Sequence, residues 1–564
     1  MTLESIHPAC FFFAGAIGLA LAPSRLRGWI GLAAPLISLL CLLSFDEGVF
    51  FRFELFDYTL TGMRVDRLSL LFGYLFHIAA FIGVVYSLHV KDRVQQVSAL
   101  LYAGSALIAV FAGDLITLFV AWELLAITSA FLIFARRTDA AIRSGMRYLI
   151  WNVLSGVILL AGVLIYSHET GSIEFGRMSL GGVGTWAIFI AFGIKCGFPL
   201  FHTWLTDAYP AATPTGTVFL SAFTTKTAVY ALARGFPGTE ELIYIGAVMT
   251  AFPIFYAVIE NDLRRVLSYS MINQIGFMVV GIGIGTELAL NGAVSHAFND
   301  VIFKGLLFMS MGAVLHVTGK VKGSELGGLY KTMPKTTILC LVGAASISAV
   351  PLFSGFVSKS MVMAAALEQG HDWLWLVLLF ASAGVLEHAG IKIPYFAFFA
   401  HDSGIRAKEP PRNMLIAMTI AALLCIFIGS FPGVLYSLLP YPVDYIPYTL
   451  THCVTQIQLL CFAGLGVVVL IRTGIYPPEM RSVNLDFEWV YRRLGYRTAR
   501  FVGGGGVMLY QAALILPRAL LDGGISLVRR HLGPAGLFAR TLPIGVSALF
   551  AALMLALFLL VYIL

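Results

Sequence analysis

The chain has 564 residues, of which 59% are hydrophobic and 12% are charged, and its formal net charge is +7. This composition excludes an ordinary soluble domain and predicts a protein with many membrane spans. Because the basic residues lie in short loops between apolar runs, the positive charge does not indicate a nucleic-acid partner. The seven cysteines occur singly, without a CxxC pair, and predict neither an iron–sulfur cluster nor a zinc site.

A membrane-spanning helix needs about 20 mostly apolar residues, and the sequence offers roughly sixteen such stretches. No Lys or Arg precedes the first stretch, so we expect a retained span there rather than a cleaved secretory signal. In chain order the predicted spans cover residues 8–22, 28–45, 68–90, 97–112, 115–134, 148–166, 183–200, 218–233, 242–259, 266–284, 288–317, 338–350, 373–399, 414–439, 457–471 and 544–564.

The loops between these spans alternate in charge. Arg25 and Lys91 lie in basic loops, whereas Asp46 and Asp114 lie in the acidic loops that follow them, and the alternation continues to the basic loop at Lys320. The positive-inside rule therefore places the basic loops in the cytoplasm and the N-terminus outside.

One tripeptide occurs twice, each time after an apolar half-helix and before a polar, Gly-rich or Pro-rich stretch. The two copies are Pro199-Leu200-Phe201 and Pro351-Leu352-Phe353. They lie five predicted spans apart, an odd number, so they face opposite sides of the membrane. Inverted repeats with broken helices are typical of ion transporters, because unwound backbone can meet an ion or water. The alternative is two Pro-kinked helices in one bundle.

The composition changes after Thr473, where basic clusters and a GGGG run surround a short apolar stretch at 507–516. We expect an interfacial amphipathic helix there, followed by a terminal span. We divide the chain into N-terminal helices (1–95), a first inverted repeat (96–235), a second inverted repeat (236–400), C-terminal helices (401–475) and an interfacial segment with a terminal helix (476–564).

Ionisable residues interrupt several of the predicted spans. Glu123 and Lys195 lie in the middle of apolar stretches, where a charge costs at least ~2.5 kcal/mol and marks an ion route by default. For Glu123 the alternative is a neutral, hydrogen-bonded structural residue. Lys226 is also central, and a buried lysine can load and release a proton near neutral pH. Its alternative is to snorkel towards an interface.

His296, Asp300 and Lys304 follow one another at a spacing of i, i+4 and i+8, which places them along one helix face. Such a row can pass protons, because histidine titrates near neutral pH. The alternative is a charge-compensated polar seam between helices. Lys359 lies just after the second break, and Lys392 lies four residues after His388.

Several longer motifs resemble those of the proton-conducting antiporter family, which Mrp-type Na⁺/H⁺ antiporters share with the antiporter-like subunits of respiratory complex I and membrane-bound hydrogenases. They are AWELLAITS, GIKCGFPLFHTWLTDAYPAATPT, DLRRVLSYSMINQIGF, HAFNDVIFKGLLFM and PLFSGFVSK. The resemblance runs from about Leu68 to Phe399. The motif GSELGGLYKTMP and the expected lack of a long lateral helix make the chain most similar to the D-type subunit of Mrp antiporters.

This resemblance implies an all-α polytopic membrane fold with about 14 core helices, up to 16 in total, and two inverted five-helix repeats that each contain a broken helix. It also implies a proton path that begins at a Glu123–Lys195 pair. The path then continues through a central Lys226 to His296 and Lys304 along a hydrated axis at mid-membrane. In the family the path normally ends at one Lys or Glu on the second broken helix, and here Lys359 and Lys392 both compete for that place.

We therefore expect a proton-translocating subunit of a multisubunit Na⁺/H⁺ antiporter in a bacterial cell membrane, with other membrane subunits, the lipid bilayer, protons and Na⁺ as its partners. No nucleotide loop, metal motif or nucleophile constellation occurs in the sequence, so we expect neither a cofactor nor covalent catalysis. The first alternative is a proton-pumping arm of complex I or a membrane-bound hydrogenase. The membrane half of an inorganic-carbon uptake complex and a structural membrane subunit remain further alternatives.

Overall fold

The computed structural model describes residues 6–56, 58–477, 479–480, 484–534, 536, 539 and 542–563. Within these residues, 13 helices are long and apolar enough to cross a membrane, judged by length and composition. Three shorter apolar helices accompany them, at Ala9–Leu21, Val183–Cys196 and Pro334–Ile347. The predicted all-α polytopic membrane fold is confirmed.

The helices, numbered in chain order, are α1 (Ala9–Leu21), α2 (Ser24–Leu42), α3 (Arg67–Ser87), α4 (Arg93–Phe111), α5 (Leu115–Phe134), α6 (Asp139–Thr170), α7 (Val183–Cys196), α8 (Thr203–Ala211), α9 (Pro214–Ala222), α10 (Thr224–Gly235), α11 (Glu241–Ile259), α12 (Leu263–Ile284), α13 (Glu287–Thr318), α14 (Pro334–Ile347), α15 (Ser354–Glu368), α16 (Asp372–Val385), α17 (Lys392–Pro394), α18 (Arg412–Ser430), α19 (Pro432–Tyr436), α20 (Leu450–Arg472), α21 (Tyr496–Leu532) and α22 (Ile544–Ile563). Short 3₁₀ turns lie at Gly323–Glu325 and Leu329–Lys331, and π-helical turns at Leu386–Ile391, Tyr395–Phe399 and Val490–Gly495.

A β-hairpin lies between α2 and α3, which the sequence analysis did not predict. Strand β1 (Gly48–Leu55) pairs antiparallel with β2 (Tyr58–Val65). The hairpin is anchored to the loop before α5, because the Thr61 amide donates to Asp114 at 2.7 Å and the Gly113 amide donates to the Thr61 carbonyl at 3.0 Å. A Cβ on Gly113 would overlap the Thr61 side chain, so this close approach requires glycine.

The two predicted helix breaks share one backbone conformation. The first break covers 197–202 and the second covers 348–353. Each has two left-handed residues three positions apart: Gly197 (φ 84°) and Leu200 (φ 74°) in the first, Ala349 (φ 57°) and Leu352 (φ 75°) in the second. Because a non-glycine residue rarely adopts positive φ, this agreement supports an internal repeat over two independent kinks.

The predicted span at 218–233 is two helices rather than one. Helix α9 ends at Ala222, α10 begins at Thr224, and Phe223 lies at the break. Tyr102 occupies this break: its hydroxyl accepts from the Thr224 amide at 2.9 Å and lies 2.5 Å from the Thr224 hydroxyl. A side chain from another helix thus satisfies a backbone group that the break leaves unpaired, which a single sequence cannot reveal.

The chain divides into two compact units, Met1–Asn484 and Leu485–Leu564. In the second unit, α21 has 37 residues and contains Gly503–Gly506. Each glycine costs only about 1 kcal/mol in a helix interior, and Ala, Leu and Arg around the run favour the helix. The residues 507–516 are helical as expected, but they belong to this longer helix, so the expected lack of a long helix in this part of the chain is wrong. The finer division into five segments remains a prediction.

Candidate functional site

The centre of the first unit contains a buried ion pair between α10 and α13. Lys226 Nζ lies 2.5 Å from Asp300 Oδ2, and both side chains are 0% exposed. Within the described residues, neither carboxylate oxygen of Asp300 accepts a hydrogen bond of regular geometry, and Lys226 also contacts the Ser221 carbonyl at 3.5 Å. Removal of either partner would leave an uncompensated charge in the interior.

The predicted His296 lies between α12 and α15 and uses both ring nitrogens. Its Nδ1 lies 3.0 Å from the Ser358 hydroxyl and its Nε2 lies 3.2 Å from Gln274 Oε1. Because an amide oxygen only accepts, Nε2 carries the hydrogen and Nδ1 accepts from Ser358. The Gln274 amide in turn donates to Asn273 at 2.5 Å. His296 is therefore one link in a chain of hydrogen bonds.

Three lysine charges act on this histidine. Lys226, Lys304 and Lys359 all lie close enough to His296 for their charges to interact with it. Lys304 donates to the Ser270 hydroxyl at 2.7 Å, and Lys359 donates to the Ile347 carbonyl at 3.1 Å. The structure thus brings together four of the seven predicted site residues.

Lys392 lies in a different environment. Its Nζ donates to the carbonyls of Val258 at 2.6 Å, Glu260 at 2.7 Å and Ala257 at 3.2 Å. These carbonyls lie at the C-terminal end of α11, where the backbone has no helical partner and a cation is favoured. Glu479 Oε1 lies 2.8 Å from the same Nζ. Lys392 therefore caps a helix as well as pairing with an acid that the sequence analysis did not single out.

Glu123 and Lys195 are neighbours but form no ion pair in this conformation. Lys195 donates to the carbonyl of Trp122 and lies 4.3 Å from the centroid of its ring. Glu123 Oε1 is buried and has no hydrogen-bond partner among the described residues. It faces α6 at Gly156, where a Cβ would overlap that oxygen. The acid thus occupies space that only glycine leaves open.

His202 and Asp207 help to order the chain around α8. Arg147 donates to both carboxylate oxygens of Asp207, at 2.8 and 3.0 Å, and the His202 ring lies 4.7 Å from that of Phe252. Nearby, the fully buried Arg264 donates to the carbonyls of the α8–α9 connection, at Pro210, Ala212, Tyr209 and Thr213. The sequence analysis quoted Arg264 only as part of the motif beginning DLRR and did not predict this role.

No group of three or more His, Cys, Asp or Glu side chains that could hold a metal ion occurs in the described part of the chain. The ionisable residues instead meet hydroxyls, amides, carbonyls and one another. Such partners suit a path of exchangeable protons.

The central part of the sequence, residues 112–384, matches the profile of the family described as NADH:quinone oxidoreductase/Mrp antiporter, TM. The chain is 31% identical over 476 residues to the A/B-type subunit of a probable K⁺/H⁺ antiporter from Rhizobium meliloti, covering 75% of this chain and 46% of that protein. It is 26% identical over 426 residues to hydrogenase-4 component B of Escherichia coli, covering 67% and 63%. The chain thus spans about half to just under two thirds of the length of these relatives.

Two solved structures share the fold. A chain of the Mrp complex from Dietzia sp. DQ12-45-1b superposes with a TM-score of 0.69 at 20% identity, covering 83% of this chain and 100% of that one. A chain of the membrane-bound sulfane sulfur reductase, an archaeal respiratory membrane complex, gives a TM-score of 0.71 at 21% identity, covering 98% and 99%. At these identities the structures establish the fold alone.

These similarities confirm the predicted resemblance: the chain is similar to the antiporter-type membrane subunits that Mrp and complex I-like assemblies share. The narrower likeness to the D-type subunit of Mrp antiporters remains a prediction. The expected lack of a long helix, on which it partly rested, is corrected by α21.

Proposed function

We propose that this chain is the proton-translocating subunit of a multisubunit cation/proton antiporter in a bacterial cell membrane. The observation that carries the proposal is the fully buried pair of Lys226 and Asp300 beside the hydrogen-bonded His296. Charges at this depth are costly, and in membrane proteins they mark proton or ion routes by default. The similarity to a probable K⁺/H⁺ antiporter protein supports the same class of activity.

Protons move along a row of ionisable groups in this scheme, and the charge on one group changes the proton affinity of the next. The row is Glu123, Lys195, Lys226, His296 and Lys304, followed by Lys359 or Lys392. Two unit charges interact with about 332/(εr) kcal/mol, where r is in Å, so neighbours in a part-hydrated interior change one another's proton affinity strongly.

The switch lies at the start of the row. When Glu123 pairs with Lys195, Lys226 loses a repulsive neighbour and binds a proton, which Asp300 stabilises. When Glu123 and Lys195 separate, as they are in this conformation, the free charge of Lys195 repels that of Lys226. The proton then passes to His296 and on to Lys304.

We propose that Na⁺ is the exchanged cation and that another subunit of the complex holds its site. A Na⁺ site needs several oxygen ligands, whereas the row contains one carboxylate, Glu123, and the adjacent carboxylate of Asp300 is paired with Lys226. The second candidate function is the membrane arm of a redox-driven pump. The similarity to hydrogenase-4 component B supports this second function. A redox-driven pump would also need partner subunits that carry out the redox reaction.

The test is proton flux in everted membrane vesicles that contain the whole complex, with Na⁺ and an electron donor supplied separately. The variants are Glu123→Ala and, as a matched control, Glu241→Ala at the exposed start of α11. Flux that requires Na⁺ and is lost only in Glu123→Ala is the expected result. Flux that requires the electron donor would assign the chain to a redox pump. Unchanged flux in Glu123→Ala would contradict the proposed path.

A further inference from the structure

The segment after α20 reaches back to the predicted proton path. Glu479 lies seven residues beyond Arg472, the last residue of α20, in a part of the chain that matches none of the recognised motifs. Its carboxylate is 2.8 Å from Lys392 Nζ, and the two side chains are 6% and 1% exposed. An acid from outside the helical repeats is thus buried against a lysine of the spanning segment Asp372–Phe399.

Contacts on both sides of Glu479 hold it in place. The carbonyl of Met480 accepts from the Asn261 side chain at 3.1 Å, and the Tyr476 ring stacks against that of Phe396 with 6.4 Å between centroids. The segment is therefore anchored to the loop after α11 and to the end of the Lys392 span.

A second acid, Glu260, lies beside the pair but is already satisfied. Its Oε1 accepts from the amides of Asn261 and Asp262 at 2.9 and 3.0 Å. Its Oε2 lies 3.4 Å from the Asn484 amide and 3.7 Å from Arg265 Nη1. Glu479 differs, because the partner of its carboxylate is the Lys392 ammonium, 2.8 Å away. Of the two acids, Glu479 is therefore the one whose partner can itself exchange a proton.

The contact between Glu479 and Lys392 is a charge-assisted hydrogen bond. The Lys392 ammonium has three donors, which it shares between Glu479 and three backbone carbonyls at the end of α11. Burial raises the pKa of the Glu479 carboxyl above its ordinary value, the Lys392 charge opposes this rise, and Glu260 adds to it. Glu387, whose charge also acts on Lys392, is the remaining acid near the pair in the described structure.

His388 connects this cluster to the central row. It lies four residues before Lys392 in the π-helical turn Leu386–Ile391, a feature often found at functional sites. The side chain is 0% exposed, and its ring contacts the Gly384 carbonyl four residues earlier. The charges of both Lys304 and Lys392 act on it. A fully buried imidazole can accept a proton at one ring nitrogen and donate one from the other.

The cluster lies at the cytoplasmic end of the helices by the positive-inside rule. Asp262 forms an isolated β-bridge with Lys322, so the two basic loops after α11 and α13 meet. Glu479 lies against the same place, because a Cβ on Gly323 would be 3.4 Å from its Oε2. Basic loops face the cytoplasm, and Glu479 therefore lies between that compartment and Lys392.

We propose that Glu479 is the carboxylate that exchanges protons with water at the cytoplasmic end of the path, and that it connects this water to Lys392 and, through His388, to Lys304. When protons enter from the cytoplasm, the Glu479 carboxylate takes a proton from water. It then passes the proton to the Lys392 amine once Lys392 has released its own to His388, so one O–H bond breaks as one N–H bond forms. When protons move along the row towards Lys392, the same steps run in reverse. This inference rests on the proposed proton transport.

The test is the dependence on cytoplasmic-side pH of proton uptake into everted vesicles that contain the whole complex, because protons then enter the path at its cytoplasmic end. We expect Glu479→Gln to carry about tenfold less flux than wild type at alkaline pH, where free protons are scarce, and near wild-type flux at acidic pH. Glu479→Asp should restore much of the alkaline flux. The matched control is Asp402→Asn, which removes an exposed acid from the ion pairs with Lys331 and Arg406 in a nearby loop.

The form of the pH profile separates a loading role from a structural one. A segment that only holds the helices together would lower the Glu479→Gln flux by the same factor at every pH, and this result would overturn the inference. A wild-type pH profile in Glu479→Gln would overturn it as well, while leaving the proposed transport intact. A wild-type complex that moves no protons would overturn the proposed function and the inference with it.

Discussion

Asp300 on α13 holds Lys226 on α10 in a fully buried ion pair, with 2.5 Å between the carboxylate and the ammonium. The two residues are 74 positions apart in the sequence, and among the described residues neither forms a second ion pair. Loss of either partner would therefore leave the charge of the other buried and uncompensated.

We predict that Asp300→Asn destabilises the protein and stops transport. The lost partner leaves the Lys226 charge uncompensated, which costs about 3–5 kcal/mol for a buried pair. The measurement is thermal unfolding of the purified complex together with proton flux. In the double variant Asp300→Asn/Lys226→Met, stability should return while flux remains absent. A stable and active Asp300→Asn complex would contradict the pairing.

We predict that Ser358→Ala slows proton flux without affecting assembly. The substitution removes the hydroxyl that lies 3.0 Å from His296 Nδ1, and the lost link interrupts the hydrogen-bonded chain. We expect flux to fall about tenfold, corresponding to about 1.4 kcal/mol. The matched control is Ser360→Ala on the same helix, whose hydroxyl lies near Tyr445 rather than His296. Equal flux in the two variants would remove Ser358 from the path.

We predict that Gly156→Ala displaces Glu123 and lowers proton flux about as strongly as loss of the acid itself. The new Cβ would overlap Glu123 Oε1, so the carboxylate must leave its present position. Gly466→Ala on α20, where the added Cβ meets nothing within 4 Å, is the control. Flux can be measured in the same vesicles, and normal flux in Gly156→Ala would show that the present position of Glu123 is not required.

A fourth prediction concerns stability outside the membrane spans. Asp66 caps α3 at the Ser69 amide and receives two hydrogen bonds from Arg234 at the end of α10. Although burial favours the neutral acid, these bonds lower the pKa of Asp66 below its ordinary value. Asp66→Asn keeps a capping residue but loses the ion pair, and we expect it to cost about 1–2 kcal/mol near neutral pH.

The sign of its pH dependence follows from the lowered pKa. A carboxylate stabilised in the folded state contributes its full stability above its unfolded pKa, about 3.9, and loses this contribution as the pH falls through its lower folded value. The thermal stabilities of wild type and Asp66→Asn should therefore differ at neutral pH and converge only in strong acid. A constant difference down to the lowest pH would contradict the assigned pairing.

The sequence predicted the spanning helices and the helix breaks because both depend on local composition. Apolar length identifies a span, and the repeated Pro-Leu-Phe motif marked two breaks whose backbone proves to be the same at Leu200 and Leu352. The break at Phe223 was missed because a tyrosine from α4 stabilises it.

The ionisable residues were easier to locate than to pair. Charged side chains within apolar runs are conspicuous, so Lys226 and Lys304 could be named from the sequence. The Asp300 partner of Lys226 and the Glu479 partner of Lys392 depend on packing between distant segments. Glu479 in particular lies outside every recognised motif, and only its burial against Lys392 distinguishes it from a loop acid.

The most direct test of the central claim is proton flux through the fully assembled complex when Lys226 is replaced by alanine. The proposed row passes through Lys226, so flux should be lost in Lys226→Ala while the complex still assembles with its normal subunits. Undiminished flux in an assembled Lys226→Ala complex would contradict the proposed path.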